Sequence, residues 1–223
     1  IHTSDHNWHG STAYASYNLY PLRLQPYHKP GVLEAGIDEA GRGCIAGPVF
    51  AAAVILPPDA KLPRLNDSKK LTSKTRYALR VSIQEMAVDF AVAWVDNEEI
   101  DRLNIFKASM VAMHRAVEKL SHVPGHLLVD GKYFYPYRRL PYQCIVRGDG
   151  QYLSIAAASV LAKTYRDDYM IELSADYPQY CWEQNKGYPT PQHRKALSNH
   201  GLTPYHRKSF KLLPDARQLA AIM

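Results

Sequence analysis

Short apolar runs separated by polar turns dominate the first part of the chain. Residues 31–38 are predicted to form a first strand, and residues 49–56 are apolar on both faces, as expected of a central strand. Residues 88–94 alternate between large apolar side chains and smaller or polar ones, which predicts a third strand. Two further apolar runs, 127–129 and 142–146, complete a set of five predicted strands.

Apolar residues at helical spacing, together with capping residues, predict four helices. The third covers residues 154–175 and has a face of alanine and serine that lets it lie close against a sheet. The last has Pro191 at its first position and Gly201 beyond its end. The predicted N-termini of the four helices are Thr72 or Ser73, Asn104, Ser154 and Thr190.

Carboxylates beside glycines follow three of the predicted strands. They are Asp38 and Glu39 in IDEAGRG, Asp130 in LVDG, and Asp149 in RGDG. A polar turn is the alternative interpretation of each Asp-Gly pair. Because sites in open α/β sheets gather at strand ends, three such ends favour one shared cluster. Adjacent strand residues point to opposite faces, so Asp38 and Glu39 are expected to share it only if the strand ends or distorts between them.

A cluster of four carboxylates implies cations. The negative charges repel one another, so some would stay protonated unless a cation neutralised them. Ligands that are all oxygen suit Mg²⁺ or Mn²⁺ rather than zinc. Two such ions in one site can activate water and stabilise the leaving oxygen of a phosphodiester. The carboxylates therefore predict a metal-dependent phosphodiesterase.

The charge of the chain points to a polyanionic substrate. Its 27 Lys and Arg residues exceed its 21 Asp and Glu residues by six, and the pI is about 9.1. Several basic residues stand in polar or glycine-rich loops, where they suit phosphate contacts. They are Arg42, Lys69, Lys186, Arg207 and Lys208. Together with the carboxylates, they predict that the substrate is a nucleic acid.

Other features of the sequence bear on where the protein acts. The three cysteines, Cys44, Cys144 and Cys181, are widely spaced and form neither a zinc pattern nor an even disulfide set. This favours a reducing compartment, so a cytoplasmic location is expected. No apolar stretch approaches the length needed to span a membrane, and the N-terminus lacks the pattern of a signal peptide.

Six motifs together resemble the ribonuclease HII family in their order and spacing. The resemblance covers roughly residues 31–212. The motifs are IDEAGRG at 37–43, LNDSKKL at 65–71, LVDG at 128–131, SIAAASVLAK at 154–163, KGYPT at 186–190 and HRKSF at 206–210. The resemblance implies an α/β chain with a ribonuclease H-like fold: a mixed five-stranded sheet flanked by helices, with a helical C-terminal region.

The resemblance also implies a division of the chain and an activity. Residues 31–212 would form the catalytic domain, after an irregular extension or artificial leader over residues 1–30 and before a helical tail over residues 213–223. The implied activity is endonucleolytic cleavage of RNA in RNA/DNA hybrids and at single ribonucleotides in duplex DNA. It would use two Mg²⁺ or Mn²⁺ ions and leave a 5′-phosphate and a 3′-hydroxyl. The protein is expected to act as a monomer.

Residue by residue, the family motifs assign roles to positions of this chain. The metal ligands and catalytic residues would be Asp38, Glu39, Asp130 and Asp149. Gly41, Arg42 and Gly43 would read the ribose at the RNA–DNA junction, and Tyr188 would support that reading by stacking. Lys69, Lys186 and Ser209 match phosphate contacts, and Arg207 belongs to the same basic patch. Asn185 stands where the family pattern has histidine, and no role is assigned to it.

Two alternative functions are consistent with parts of the sequence. Another two-metal nuclease of the same fold would cut DNA junctions, and a panel of all-DNA substrates separates it from a ribonuclease. A basic nucleic-acid-binding scaffold would have vestigial carboxylates, which a metal titration of activity tests.

Three further groups of residues lie outside these assignments. Lys163 and Arg166 are expected to face phosphate or solvent. His193, His200 and His206 are expected near the surface. Asp168 is expected to be solvated or ion-paired, but a helix could also bring it into the metal site.

Overall fold

The computed structural model describes residues 24–66 and 68–213. Most of the predicted extension, residues 1–23, and the predicted helical tail from residue 214 onward lie outside the described residues. Five strands form one sheet in the order β3-β2-β1-β4-β5. The strands are β1 (Glu34–Ala40), β2 (Val49–Ile55), β3 (Asp89–Val95), β4 (His126–Asp130) and β5 (Tyr142–Ile145).

The sheet is mixed, as predicted. Strands β3, β2 and β1 pair antiparallel, whereas β1, β4 and β5 run parallel to one another. Strand β1 therefore lies at the centre and joins the two halves. Because β1, β4 and β5 run in the same direction, their carboxyl ends meet at one edge of the sheet.

Six helices flank the sheet or follow it among the described residues. They are α1 (Ser73–Met86), α2 (Asn97–Leu103), α3 (Ile105–Glu118), α4 (Leu153–Asp176), α5 (Trp182–Asn185) and α6 (Pro191–His200). The predicted N-caps Thr72, Asn104 and Thr190 each accept a hydrogen bond from a main-chain N–H in the first turn. The short helices α2 and α5 were not predicted.

Two apolar layers hold the helices on the sheet. On one face, Met110 and Met113 of α3 pack with Ile37 and Val49 of the sheet. On the other face, alanines of α4 and the side chains of α1 pack against Ala52 and Val54 of β2. The C-terminal region has an apolar cluster of its own around Trp182, where helices α5 and α6 meet the end of α4.

Helix α4 approaches the central strand so closely that one position must be glycine. A Cβ on Gly36 would lie 2.2 Å from the carbonyl carbon of Ser154 and 2.4 Å from the nitrogen of Ile155. These contacts are with main-chain atoms, which cannot move aside without shifting the helix. The small-residue face of α4 thus meets β1 at backbone distance, as the sequence suggests.

The end of strand β1 differs from the expectation. The strand does not end or distort between Asp38 and Glu39 but continues to Ala40, paired with β2 throughout. On its other side, the pairing with β4 stops at Ile37 and Val129. The Glu39 N–H donates to Asp38 Oδ1 at 2.7 Å. The side chain of Asp38 therefore satisfies a main-chain group beyond the end of the parallel pairing.

Some residues assigned to the N-terminal extension belong with the domain. Leu24 is buried, and the main chain of Gln25 exchanges hydrogen bonds with Gln151 and Leu153. The contacts of the domain thus begin before the predicted boundary at residue 31. Among the described residues, no helix is both long enough and apolar enough to cross a membrane.

Candidate active site

Three predicted carboxylates line one pocket at the carboxyl edge of the sheet. Asp38 and Glu39 stand near the end of β1, and Asp130 ends the neighbouring parallel strand β4. The pocket has a volume of about 260 Å³ and also contains Gly41, Arg42, Gly43, Lys69 and Tyr188 among its lining residues. Parallel pairing explains why residues almost a hundred positions apart in sequence meet here.

The fourth carboxylate, Asp149, is buried in the short 3₁₀ turn Gly148–Gly150 after β5. Asp130 Oδ1 accepts a hydrogen bond of 2.7 Å from the N–H of Gly148. This bond ties the end of β4 to the turn that carries Asp149. The lining of the pocket includes the other three carboxylates but not Asp149.

Burial and mutual repulsion make the pocket electrostatically unfavourable for carboxylates on their own. Burial raises the pKa of Asp38 well above its ordinary value, and the charges of Glu39 and Asp130 raise it further. Burial also raises the pKa of Glu39, although Arg42 Nη1 lies 3.1 Å from its Oε1 and acts in the opposite direction. A pocket of crowded carboxylates with raised pKa values suits a cation, whose charge would restore their ionised forms.

The glycines behind the carboxylates serve two different purposes. Gly41 has φ +94°, and a Cβ there would lie 2.0 Å from Nε of Arg166, so the fold itself requires glycine. Gly43 is exposed, and a Cβ there would meet no protein atom within 4 Å. A side chain at position 43 would therefore extend into open space at the pocket and not into the protein.

Arg166 lies beneath this loop and not at the surface. The expectation that it faces phosphate or solvent is wrong, because its side chain is fully buried. Its guanidinium donates to the carbonyl oxygens of Pro48 (2.9 Å), Lys186 (2.8 Å) and Ala46 (3.1 Å). One signal was present in the sequence: Arg166 follows Ala162 by four residues and so continues the small-residue face of the helix.

Arg207 has a similar position, which differs from the expected direct contact with phosphate. It is fully buried, and its guanidinium donates to the carbonyls of Gly47 (2.8 Å) and Arg42 (3.1 Å). Burial and the nearby charge of Arg166 lower the pKa of Arg207 to about 9. Arg207 thus supports the Gly-Arg-Gly loop from inside the protein.

Tyr188 lines the pocket with its ring partly exposed. The Lys163 ammonium lies 5.5 Å from the centroid of this ring and 2.7 Å from the carboxylate of Asp167. Burial raises the pKa of Tyr188, and a hydrogen bond with Cys44 acts in the same direction. Asn185, to which no role was assigned, fixes the preceding turn: its amide donates to Tyr180 and its carbonyl oxygen accepts from the Gly187 N–H.

Two histidines expected near the surface are fully buried behind Tyr188. His193 Nδ1 lies 2.9 Å from the carbonyl oxygen of Tyr188, so Nδ1 carries the proton and Nε2 accepts. His206 Nδ1 accepts from the Thr203 N–H, so its Nε2–H donates to His193 Nε2 at 3.1 Å. Trp182 Nε1–H donates to the same acceptor at 3.0 Å. The surface prediction for His193 and His206 is wrong because these bonds satisfy both rings internally.

The remaining predicted contacts divide between the pocket and other places. Lys69 lines the pocket. The ammonium of Lys186 donates to the Glu183 carbonyl, and Ser209 Oγ donates to Asp101 at 2.6 Å, so neither side chain is among the lining residues. Asp168 accepts from Tyr77 and Arg80 of α1 and is likewise absent from the lining.

Ala40 and three polar residues, Ser68, Arg76 and Ser159, line the pocket but were not assigned to it from the sequence. Lys163, which was expected to face phosphate or solvent, lines it as well. The hydroxyls of Ser68 and Ser159 are hydrogen-bonded to each other at 2.8 Å, which joins the loop before α1 to helix α4. Ser159 lies on the small-residue face of α4, which packs toward β1, and this position in the sequence could have identified it as a pocket residue.

Comparison with known proteins gives one consistent result. A family model described as Ribonuclease HII matches residues 35–213. "Ribonuclease HII" of Parabacteroides distasonis is 62% identical over 192 residues, which is 86% of this chain and 96% of that protein. The solved ribonuclease H2 of Pyrococcus horikoshii OT3 superposes with a TM-score of 0.70 at 24% identity, over 85% of this chain and 97% of that one. Bst-RNase HIII, solved in complex with Mn²⁺, shares the fold with a TM-score of 0.67 at 19% identity, over 86% and 71% of the two chains.

Removal of the Asp38 charge should stabilise the metal-free protein. Because the folded-state pKa of Asp38 is raised, its ionised form costs stability at neutral pH, and that cost disappears as pH falls through the folded-state pKa. In EDTA at pH 7.5, Asp38→Asn should raise the Tm. A gain of about 1–2 kcal/mol in the free energy of unfolding corresponds to a rise in Tm of roughly 2–8 °C in a chain of this length.

Asp89→Asn provides the matched control, because hydrogen bonds from His122 lower the pKa of Asp89 and its substitution should destabilise the protein. Thermal unfolding at pH 7.5 and pH 4 measures both effects. A lower Tm for metal-free Asp38→Asn at pH 7.5 would contradict the electrostatic account of the pocket.

The buried histidine pair should make the fold sensitive to acid. The pKa of His206 is lowered from 6.5 to about 4 by burial and by His193, so the unfolded chain takes up a proton first as pH falls. The free energy of unfolding then decreases between pH 6.5 and about 4, by about 1.4 kcal/mol per pH unit. The stability advantage of wild type over His206→Gln in urea unfolding should shrink by about 2 kcal/mol from pH 7 to pH 5. An advantage that stays constant would show that His206 titrates normally.

Proposed function

The chain belongs to the ribonuclease HII family, and from this premise we propose how its carboxylate pocket acts. The protein is a ribonuclease H enzyme. The proposed reaction is endonucleolytic hydrolysis of RNA in RNA/DNA hybrids and at single ribonucleotides embedded in duplex DNA, leaving a 5′-phosphate and a 3′-hydroxyl. The observation that carries this proposal is the shared pocket, in which crowded carboxylates adjoin an open glycine and a partly exposed tyrosine.

The proposed cofactors are two Mg²⁺ or Mn²⁺ ions. Asp38, Glu39 and Asp130 would hold them, with Asp149 contributing from the neighbouring turn. Oxygen donors alone suit these ions, and the raised pKa values of Asp38 and Glu39 supply the physical reason for cation binding. Bound there, the ions would polarise the phosphodiester and lower the pKa of the attacking water.

The main chain of the Gly-Arg-Gly loop is proposed to recognise the ribose. The 2′-hydroxyl distinguishes RNA from DNA, and it both donates and accepts hydrogen bonds. The space beside Gly43 lets a sugar approach the peptide groups of the loop directly. The ring of Tyr188 would press on the neighbouring sugar, and His193 orients this residue through its carbonyl oxygen.

Basic groups around the pocket would position the nucleic acid backbone. Lys69 and Lys163 line the pocket, and Arg42 projects from its rim with nearly half of its side chain exposed. Phosphate contacts of this kind orient a substrate without reading its sequence.

Since all of these groups come from one chain, we propose that the enzyme acts as a monomer. The free cysteines among the described residues support a reducing, cytoplasmic location.

Three duplexes test the proposed substrate. They are a DNA duplex with one ribonucleotide, the same duplex with deoxyribose throughout, and a long RNA/DNA hybrid. The enzyme should cut the first and third on the ribonucleotide strand, in Mg²⁺ or Mn²⁺, and leave the second intact. Asp130→Asn should bind all three without cutting them.

Each contrary outcome identifies a different function. Comparable cleavage of the all-DNA duplex would identify a DNA nuclease of the same fold. Binding without cleavage of any duplex in either metal would identify a scaffold.

Gly41 and Gly43 form a matched pair for the sugar-reading proposal. Gly43→Ala should leave the Tm unchanged, because the added methyl group meets open space. It should nevertheless reduce kcat/KM at a single ribonucleotide by about 5- to 150-fold, as expected for losing a contact of about 1–3 kcal/mol. Gly41→Ala should instead lower the Tm, because the methyl group would collide with Arg166. Full activity in Gly43→Ala would remove position 43 from substrate recognition.

Tyr188 is proposed to act through its ring and not through its hydroxyl. Tyr188→Phe should therefore keep most of the preference for ribose, whereas Tyr188→Ala should lose about 5- to 150-fold in kcat/KM at a single ribonucleotide. Cleavage rates of ribo-, deoxy- and 2′-O-methyl substrates measure the preference. Equal losses in the two variants would assign the role to the hydroxyl.

A further inference from the structure

Two histidines and a glutamate lie together at the end of β1 opposite to the carboxylate pocket. Glu34 begins β1, whereas Asp38 stands four residues later, about 13 Å away along the strand. His126 begins β4 directly beside Glu34 in the parallel pairing, and His28 belongs to the segment that leads into β1. One ligand atom from each residue lies within 4.8 Å of the other two.

Hydrogen bonds fix the glutamate at the centre of this group. Glu34 Oε1 lies 2.9 Å from His126 Nδ1, and both residues are buried. The main-chain N–H groups of His28 and Lys29 donate to the same carboxylate at 2.7 and 3.1 Å. These bonds fold the segment back on the strand and leave the exposed His28 ring stacked on His126, with centroids 5.8 Å apart.

We propose that His28, Glu34 and His126 bind a divalent transition-metal ion, with Zn²⁺ as the best match. Two imidazole nitrogens and one carboxylate oxygen are a ligand set found in zinc sites, with a fourth position left for water. Nitrogen ligands disfavour Mg²⁺, so this site differs in chemistry from the carboxylate pocket. It lies outside the reaction proposed above and does not depend on it.

The geometry requires only a small rearrangement. Ligand atoms of a tetrahedral zinc ion lie about 3.3 Å apart, since each metal–ligand bond is about 2.0–2.2 Å long. The Glu34–His126 pair is already close to this separation at 2.9 Å. The side chain of His28 is exposed, so it can move toward the other two ligands and complete the site. When the ion binds, the His126 proton shifts from Nδ1 to Nε2, so no net proton is released by that ring.

The electrostatics of the group favour a cation. Burial lowers the pKa of His126, so its ring is neutral and has a lone pair for the metal at pH 7. Glu34 contributes a buried carboxylate charge. The ammonium of Lys29 opposes the cation, as its effect on the His126 pKa shows, but Lys29 is exposed to solvent, which screens its charge.

The test uses the full chain with Asp38→Asn and Asp130→Asn, so that the carboxylate pocket does not compete. Calorimetric titration should detect the binding of one equivalent of Zn²⁺, and Mg²⁺ should not displace this bound Zn²⁺. Co²⁺ should give visible absorption bands of a four- or five-coordinate site. His28→Ala in this background should weaken Zn²⁺ binding at least about tenfold. Because His28 is exposed, this variant should keep its fold.

Two controls separate this site from other histidines. His122→Ala removes an exposed histidine that pairs with Asp89 but belongs to no three-ligand group among the described residues. This variant should still bind one equivalent of Zn²⁺. Joint replacement of His2, His6 and His9 by alanine should also leave the binding of one equivalent of Zn²⁺ unchanged. Unchanged Zn²⁺ binding in His28→Ala, or loss of the equivalent in either control, would overturn the proposal.

Discussion

Two buried guanidinium groups hold the main chain around the carboxylate pocket in one arrangement. Arg166 and Arg207 donate five hydrogen bonds of 2.8 to 3.1 Å to main-chain carbonyls of the loop after β1 and of Lys186. Moving such a cation from water into a protein interior costs free energy unless its donors are satisfied. The carbonyls must therefore converge on two planar groups. This convergence fixes the path of residues 42–48.

The same constraint joins parts of the site that are far apart in sequence. Arg166 reaches both the loop after β1 and the turn that precedes Tyr188. The neighbour of Arg207 in the chain, His206, is bonded to His193, which in turn is bonded to the Tyr188 carbonyl. The Gly-Arg-Gly loop and Tyr188 thus share one buried support.

The sequence predicts those features that depend on local pattern or on strand direction. The caps Thr72 and Asn104 and the small-residue face of α4 are local signals, and the fold contains all three. The meeting of Asp38 and Asp130 follows from parallel pairing. The burial of Arg207 and His206 could not be predicted in this way, because their partners are carbonyls and rings supplied by distant segments. In isolation, a basic residue next to aromatic ones is typical of a surface patch.

A final consequence concerns how easily such an enzyme could change the sugar it accepts. A Cβ at position 43 would meet no protein atom within 4 Å, so a sugar could approach the peptide groups of the loop there, and peptide groups are the same whatever residue is encoded. Under the proposed function, the hydrogen bonds to the 2′-hydroxyl come from these peptide groups, and the ring of Tyr188 is the part of ribose recognition that a point mutation can exchange. A side chain at position 43 adds atoms in the space that the sugar would occupy, but it leaves the peptide groups of the loop in place. The hydrogen bonds that distinguish ribose would therefore change their donors and acceptors only if the backbone itself moved.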